Sequence, residues 1–125
     1  YNLFHVTMGN PHTIVFVDNV DDFDIKKWGS KIENLKLFKN KTNVDFVQVD
    51  DENNIKVRVW ERGVGETLAC GTGACASAFI SNKNDLTSNE VTVKLKGGIL
   101  NIKIINNIIH MLGKSKIVYQ GKVVI

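Results

Sequence analysis

The residues able to do chemistry gather in one stretch, Glu61-Arg62-Gly63-Val64-Gly65-Glu66-Thr67-Leu68-Ala69-Cys70-Gly71-Thr72-Gly73-Ala74-Cys75-Ala76. A Glu-Arg pair ends a strand-like pattern, a Gly-rich segment follows, and a cysteine stands just before a run of small residues that reads as a helix. The first turn of a helix leaves N–H groups without intrahelical acceptors. Supplied by Gly71, Thr72 and Gly73, these groups form a cradle for an anion, and glycine lets a ligand come close to the backbone. The same amides and the helix dipole favour a thiolate, so Cys70 is expected to have a lowered pKa. A carboxylate docked in the cradle sets its α-carbon beside that thiol. Charge building on the carboxylate as an α-proton leaves is then stabilised by the amides. Carboxylate, guanidinium, thiol and free amides are the parts needed to grip an amino acid and move a proton at its α-carbon. The plainer alternative is a Gly-rich loop with a buried cysteine.

Other residues add to this inventory. Arg62 is one of only 2 arginines against 14 lysines, which points to a place where a planar fork is wanted, able to hold a carboxylate in bidentate fashion. Glu61 has the chemistry to pair with an ammonium or to take a proton from a thiol. A surface ion pair between Glu61 and Arg62 is the simpler reading. Gly9-Asn10-Pro11-His12, with the chain's single proline, sets an amide and an imidazole on a fixed turn. Asn43 is either a turn residue or a ligand contact. Cys75 falls inside the small-residue helix and is expected to pack as a small hydrophobe. Glu66 is expected to be a solvated loop charge, and His5 and His110 to be structural or surface residues.

Composition narrows the function classes. The 125 residues, 43% hydrophobic and 23% charged, suffice for one domain with a core. The net charge of +3 is spread as single lysines with no basic, aromatic-studded stripe, which argues against nucleic acid. No apolar run approaches a membrane span. Two cysteines five residues apart on one helix suit neither a local disulfide nor a zinc site, and they fit a reducing, cytoplasmic compartment. The chain opens Tyr1-Asn2-Leu3-Phe4, without methionine or a basic leader and directly into an apolar run, so further residues are expected to precede it.

The elements that must position these groups follow from periodicity. Leu3–Met8 and Thr13–Val17 read as strands, with Gly9–His12 between them. Ile25, Trp28, Ile32, Leu35 and Phe38 recur at three- and four-residue steps, predicting an amphipathic helix over 24–38. Val44–Val49 is a strand. Ile55, Val57 and Val59 alternate with Lys56, Arg58 and Trp60, and a polar turn at 51–54 joins these two strands. Residues 72–82 are small or apolar nearly all round, as in a buried helix. Alternation over Val91–Leu95 and Leu100–Ile104, then Ile108–Leu112, is separated by Gly97-Gly98 and Asn106-Asn107, both suited to tight hairpins. A last pair is expected at 116–119 and 122–125. About eight strands and two helices, one of them apolar all round, predict an α+β fold in which a strongly curved, antiparallel-rich, barrel-like sheet wraps the 72–82 helix, with the amphipathic helix outside.

Met8-Gly9-Asn10-Pro11-His12, Thr42-Asn43-Val44-Asp45-Phe46 with Val47-Gln48-Val49, and the Trp60-to-Ala76 segment occur in the order in which they are found in the C-terminal half of the diaminopimelate epimerase family, which the chain resembles along essentially its whole length. The last segment is highly specific; the first two are supportive. Proline racemase-like and phenazine-biosynthesis isomerase-like proteins match less well. The resemblance implies a single domain over 1–125, one of two similar halves with the substrate in the cleft between them. It implies a cofactor-independent epimerase, without metal, converting LL- to meso-diaminopimelate for lysine and peptidoglycan synthesis. Carried over, Cys70 is one of two cysteine acid/bases, and His12 and Glu61 orient or deprotonate the thiols. Asn10, Asn43, Glu61 and Arg62 contact the substrate, and the Gly71 and Thr72 amides hold the reacting carboxylate. The expected partners are diaminopimelate, the N-terminal half, and a second copy of the enzyme. Inversion without a cofactor needs an acid/base on each face and only one suitable thiol is present, so the chain alone is expected to be inactive. Two other readings compete: a thiol hydrolase with a Cys70–His12 dyad, and an amino-acid- or anion-binding module without catalysis.

Overall fold

The computed structural model describes residues 1–68 and 70–113 and, as a strand, 121–124. The elements run β1 (Phe4–Thr7), β2 (Pro11–Phe16), α1 (Ile25–Glu33), β3 (Asn43–Asp51), β4 (Asn54–Glu61), β5 (Gly65–Thr67), α2 (Gly71–Lys83), β6 (Glu90–Leu95), β7 (Gly98–Ile105), β8 (Ile108–Gly113) and β9 (Gly121–Val124). The strands form one nine-stranded sheet in the order β1-β2-β3-β4-β6-β7-β8-β9, with β5 hanging from β4. Two neighbours are parallel, β2 with β3 and β4 with β6. Each parallel join requires a crossover; α1 lies on the first and α2 on the second.

The two helices lie on opposite faces. On β3, Val44 and Phe46 belong to a cluster with Val15, Val20, Ile25 and Ile32 around α1, while Val47 belongs to the cluster that surrounds α2. Successive strand side chains point to opposite faces, so Asp45, between Val44 and Phe46, projects to the α2 side. Ile55, Val57 and Val59 of β4 face the same side. α2 touches seven strands from β1 to β8, which only a sheet curled about it allows. Its buried residues Ala74, Cys75, Ala76, Ser77 and Ala78 are small enough to sit close to so many strands.

The wrapped-sheet expectation therefore holds, with local corrections. The outer helix is shorter than 24–38. Asp24 caps its start by accepting from the Lys27 N–H. At its end the Asn34 side chain donates to the Ser30 carbonyl, the local competition that makes Asn a poor helix interior residue. Phe38 still reaches the outer cluster, but through turns. The Gly97-Gly98 hairpin turns one residue earlier, on Lys96-Gly97, since Leu95 pairs with Gly98. Asn106 and Asn107 both take positive φ, 51° and 61°, as a two-residue hairpin turn requires. The strand β5 has no counterpart in the predicted set. The strand expected at 116–119 lies outside the described residues.

Candidate active site

Cys70 is the N-cap of α2. Its backbone is extended, φ −145° and ψ 107°, and its Sγ accepts the Gly73 N–H at 3.3 Å. The Gly71 and Thr72 amides, also in that first turn, find no acceptor among the described residues. Gly73 is fixed by packing: a Cβ there would stand 2.6 Å from Asp45 Oδ1, 3.2 Å from Val59 and 3.3 Å from the Cys70 sulfur. The start of the helix is thus pressed against the β3–β4 part of the sheet, where only glycine fits.

The thiol ends a chain of hydrogen bonds. Cys70 Sγ lies 3.4 Å from Thr72 Oγ1, Thr72 Oγ1 lies 3.0 Å from His12 Nε2, and His12 Nδ1 lies 2.6 Å from Asp45 Oδ2. The Asn10 amide also donates to Thr72 Oγ1, at 3.3 Å. His12 and Asp45 are fully buried, whereas Thr72 and Cys70 are partly open. His12 is in β2 rather than in a turn, because β2 begins at Pro11 and pairs His12 with Asn43 of β3. Parallel pairing of β2 and β3 is what brings His12 and Asp45 to the same face.

Electrostatics run against the expected thiolate. Burial pushes the Cys70 thiol up, and the Asp45 and Glu61 carboxylates add to the rise; the Thr72 and Gly73 hydrogen bonds only partly offset it. One helix-end amide, that of Gly73, does reach the sulfur, but it and the Thr72 hydroxyl compete with desolvation and two nearby acids, and they lose. Burial likewise raises Asp45, against the pull of His12. Cys75 is fully buried, packs toward Met111, and is pushed up to about 12 by burial, as a small core hydrophobe should be.

Glu61 and Arg62 do not form an ion pair. Glu61 is half-buried at the end of β4, and its field reaches both Cys70 and Asp45. Arg62 is exposed and donates through its guanidinium to the Asn40 carbonyl. The bidentate fork expected there belongs instead to Arg58, whose Nε and Nη2 donate to Glu66 at 2.6 and 2.8 Å while Nη1 donates to the Val20 carbonyl. Glu66 is therefore no solvated loop charge. It sits on β5, accepts from Arg58, and pairs with Lys96 at 3.3 Å. Asn43 is buried; its amide donates to the Pro11 carbonyl and its oxygen accepts the Arg62 N–H. It ties the His12 strand to the Glu61–Arg62 corner.

Two residues absent from the sequence inventory complete the site. Asp45 is the buried partner of His12. Glu33, nearly buried at the end of α1, accepts the Trp60 indole N–H at 2.9 Å and the Gly63 N–H at 2.8 Å. It fixes the corner after β4 from the far face of the sheet. A carboxylate at an i+8 position of a predicted amphipathic helix carried no signal of this. The direct Cys70–His12 dyad of a thiol hydrolase is not formed, because the two imidazole nitrogens are taken by Asp45 and Thr72. Among the described residues, no group of three His, Cys, Asp or Glu is arranged to hold a metal ion, and no helix is long and apolar enough to cross a membrane.

A family model described as diaminopimelate epimerase matches residues 4–118. The diaminopimelate epimerase of Halothermothrix orenii is 52% identical over 124 residues, 99% of this chain and 44% of that protein. That of Methanococcus maripaludis is 46% identical over 125 residues, 98% of this chain and 45% of that protein. The chain thus spans rather less than half the length of these curated relatives. Among solved structures, a PhzF-family phenazine biosynthesis protein from Bacillus anthracis superposes with a TM-score of 0.63 at 24% identity, covering 87% of this chain and 39% of that one. A putative phenazine biosynthesis PhzC/PhzF protein from Clostridium difficile gives 0.62 at 20% identity, covering 82% and 37%. At these identities the likeness is one of fold.

Proposed function

The chain belongs to the diaminopimelate epimerase family, and from that premise we propose that it carries one acid/base side of a cofactor-independent epimerisation interconverting LL- and meso-diaminopimelate. The observation that carries the reading is the placement of Cys70: a partly open thiol at the N-cap of α2, beside two free amides and at the end of a buried hydrogen-bond chain. In the proposed mechanism the reacting carboxylate docks on the Gly71 and Thr72 N–H groups, which stabilise negative charge moving onto it as the α-proton leaves. Cys70 exchanges a proton with one face of the α-carbon. Asn10, Asn43, Glu61 and Arg62 line the side where the remainder of the substrate lies, and Arg62 is the cation suited to its distant carboxylate. The second acid/base belongs to the family's other half, because Cys75 is sealed in the core. The 125 residues act as a single domain, in a reducing cytoplasm that keeps both thiols free.

The test is solvent deuterium incorporation at the α-carbon of diaminopimelate. The chain alone is expected to show none. Mixed with the N-terminal half of a family member, it should show exchange that Cys70→Ala abolishes. Binding of diaminopimelate without exchange under both conditions, in folded protein, would turn the reading to a non-catalytic amino-acid-binding module.

A further inference from the structure

Asp45 accepts from none of the helix-start amides, yet it is the most deeply placed acid of the site. It is fully buried, its Oδ2 is 2.6 Å from His12 Nδ1, and its Oδ1 has no hydrogen-bond partner among the described residues. Burying a carboxylate is costly unless it is paired and hydrogen-bonded, and His12 is its one partner among the described residues. What it does follows from counting donors. A carboxylate can only accept, so it demands a proton on His12 Nδ1. A neutral His12 then has a bare Nε2, which accepts from the Thr72 hydroxyl at 3.0 Å. With its one proton spent, Thr72 Oγ1 offers two lone pairs: one accepts the Asn10 N–H, and the other faces the Cys70 sulfur at 3.4 Å.

We propose that Asp45 is a positioning residue for Cys70, which by fixing the His12 tautomer turns the Thr72 hydroxyl so that it accepts from the thiol and holds Cys70 as the proton-bearing S–H. The opposite orientation, with Thr72 donating to sulfur, would favour a thiolate and needs His12 to carry its proton on Nε2. The inference deepens the proposed function, resting on Cys70 as an acid/base there, but its test does not depend on turnover. The other ionisable groups around the thiol are Glu61 from β4 and Cys75 further along α2.

The experiment follows Cys70 alkylation against pH, read at that residue by peptide mass spectrometry, in the chain itself. In Asp45→Asn the amide can either donate or accept, so the orientation is released and a charge is lost. The alkylation midpoint is expected to fall by about one pH unit, a roughly tenfold larger thiolate fraction below the midpoint. Repeating the substitution on a Thr72→Ala background separates the hydroxyl from the bare field of Asp45: most of the fall should vanish there, and Thr72→Ser should restore it. An unchanged midpoint in Asp45→Asn, or an equal fall without the hydroxyl, overturns the proposal. Should the variants fail to fold, long-range 15N correlation of the unaltered chain decides it. His12 must carry its proton on Nδ1, and a proton on Nε2 overturns the proposal.

Discussion

Glu33→Gln isolates how the outer helix controls the site corner. The substitution keeps shape and volume, so no cavity term enters. In the native chain one carboxylate accepts two N–H groups, the Trp60 indole at 2.9 Å and the Gly63 amide at 2.8 Å. Glutamine keeps one oxygen and turns an NH2 toward the other donor. One charge-assisted bond becomes neutral, at a loss of about 1 kcal/mol, and one N–H is left facing another, at a further 1–3 kcal/mol. Relief of the buried charge returns part of this, so the net expectation is a loss of about 2 kcal/mol. For a domain whose whole stability is about 5–15 kcal/mol, that is plainly measurable. Urea unfolding followed by tryptophan fluorescence should show a lower midpoint with an unchanged slope. Trp60→Phe on the Glu33→Gln background should cost less than Trp60→Phe alone, because the two share a bond. A Glu33→Gln chain as stable as the original, within about 0.5 kcal/mol, would refute the reasoning, since it would mean that water replaces both contacts without cost.

Gly29→Ala should destabilise by about 1–3 kcal/mol in thermal or urea unfolding, although alanine normally favours a helix interior, because its Cβ would stand 2.5–2.8 Å from the Trp60 side chain. Gly73→Ala should likewise destabilise, and it should also shift the Cys70 alkylation profile, because the intruding methyl meets Asp45 and the thiol together. Brief iodoacetamide treatment at pH 8 should label Cys70 and spare Cys75 until denaturant is added, since Cys75 is buried and pushed up to about 12. The Glu66 carboxyl is held below its usual range, first by Arg58 and then by Lys96. A depressed folded pKa contributes stability that is present above the unfolded value and lost as pH falls through the folded one. Glu66→Gln should therefore flatten the acid limb of the stability–pH curve, and an unchanged limb would count against the Arg58–Glu66–Lys96 cluster.

Long periodic patterns made the architecture readable. Ile55, Val57 and Val59 did turn one face of β4 to the core, and the Asn106-Asn107 pair did make a hairpin. The 72–82 segment, small or apolar nearly all round, required a wrapping sheet and received one. Reading failed where a residue's role depends on what crosses to meet it. Gly65-Glu66-Thr67 is too short for any period, and it is a strand only because β4 offers an edge. The outer helix overran because the spacing of Leu35 and Phe38 is helical although the α-helical hydrogen bonding stops at Asn34 and gives way to three-residue turns. Arg62 attracted notice as a rare arginine, while the equally rare Arg58 was read only as one of the residues alternating with the apolar face of its strand, since alternation shows which face it takes and not the acid waiting there. Asp45 was hidden for the same reason. Its meaning lies in a parallel neighbour 33 residues away. The thiol's expected acidity failed because a helix end and a buried pocket act in opposite directions and sequence exposes only the first.

The two parallel joins have a kinetic consequence. His12 reaches Thr72 across 60 residues and Asp45 across 33, so the long-range links of the hydrogen-bond chain wait on the β2–β3 crossover and on the docking of α2 against β2, whereas the Cys70–Thr72 link is local. Loop closure of that span is entropically unfavourable before its contacts repay it, and structures rich in such pairings form slowly. The hairpins β6–β7 and β7–β8, by contrast, join neighbours in sequence and can form first. Cys70 reactivity is therefore expected to settle to its native value only once α2 has docked against β2, later than the hairpins, and pulsed alkylation during refolding checks that order.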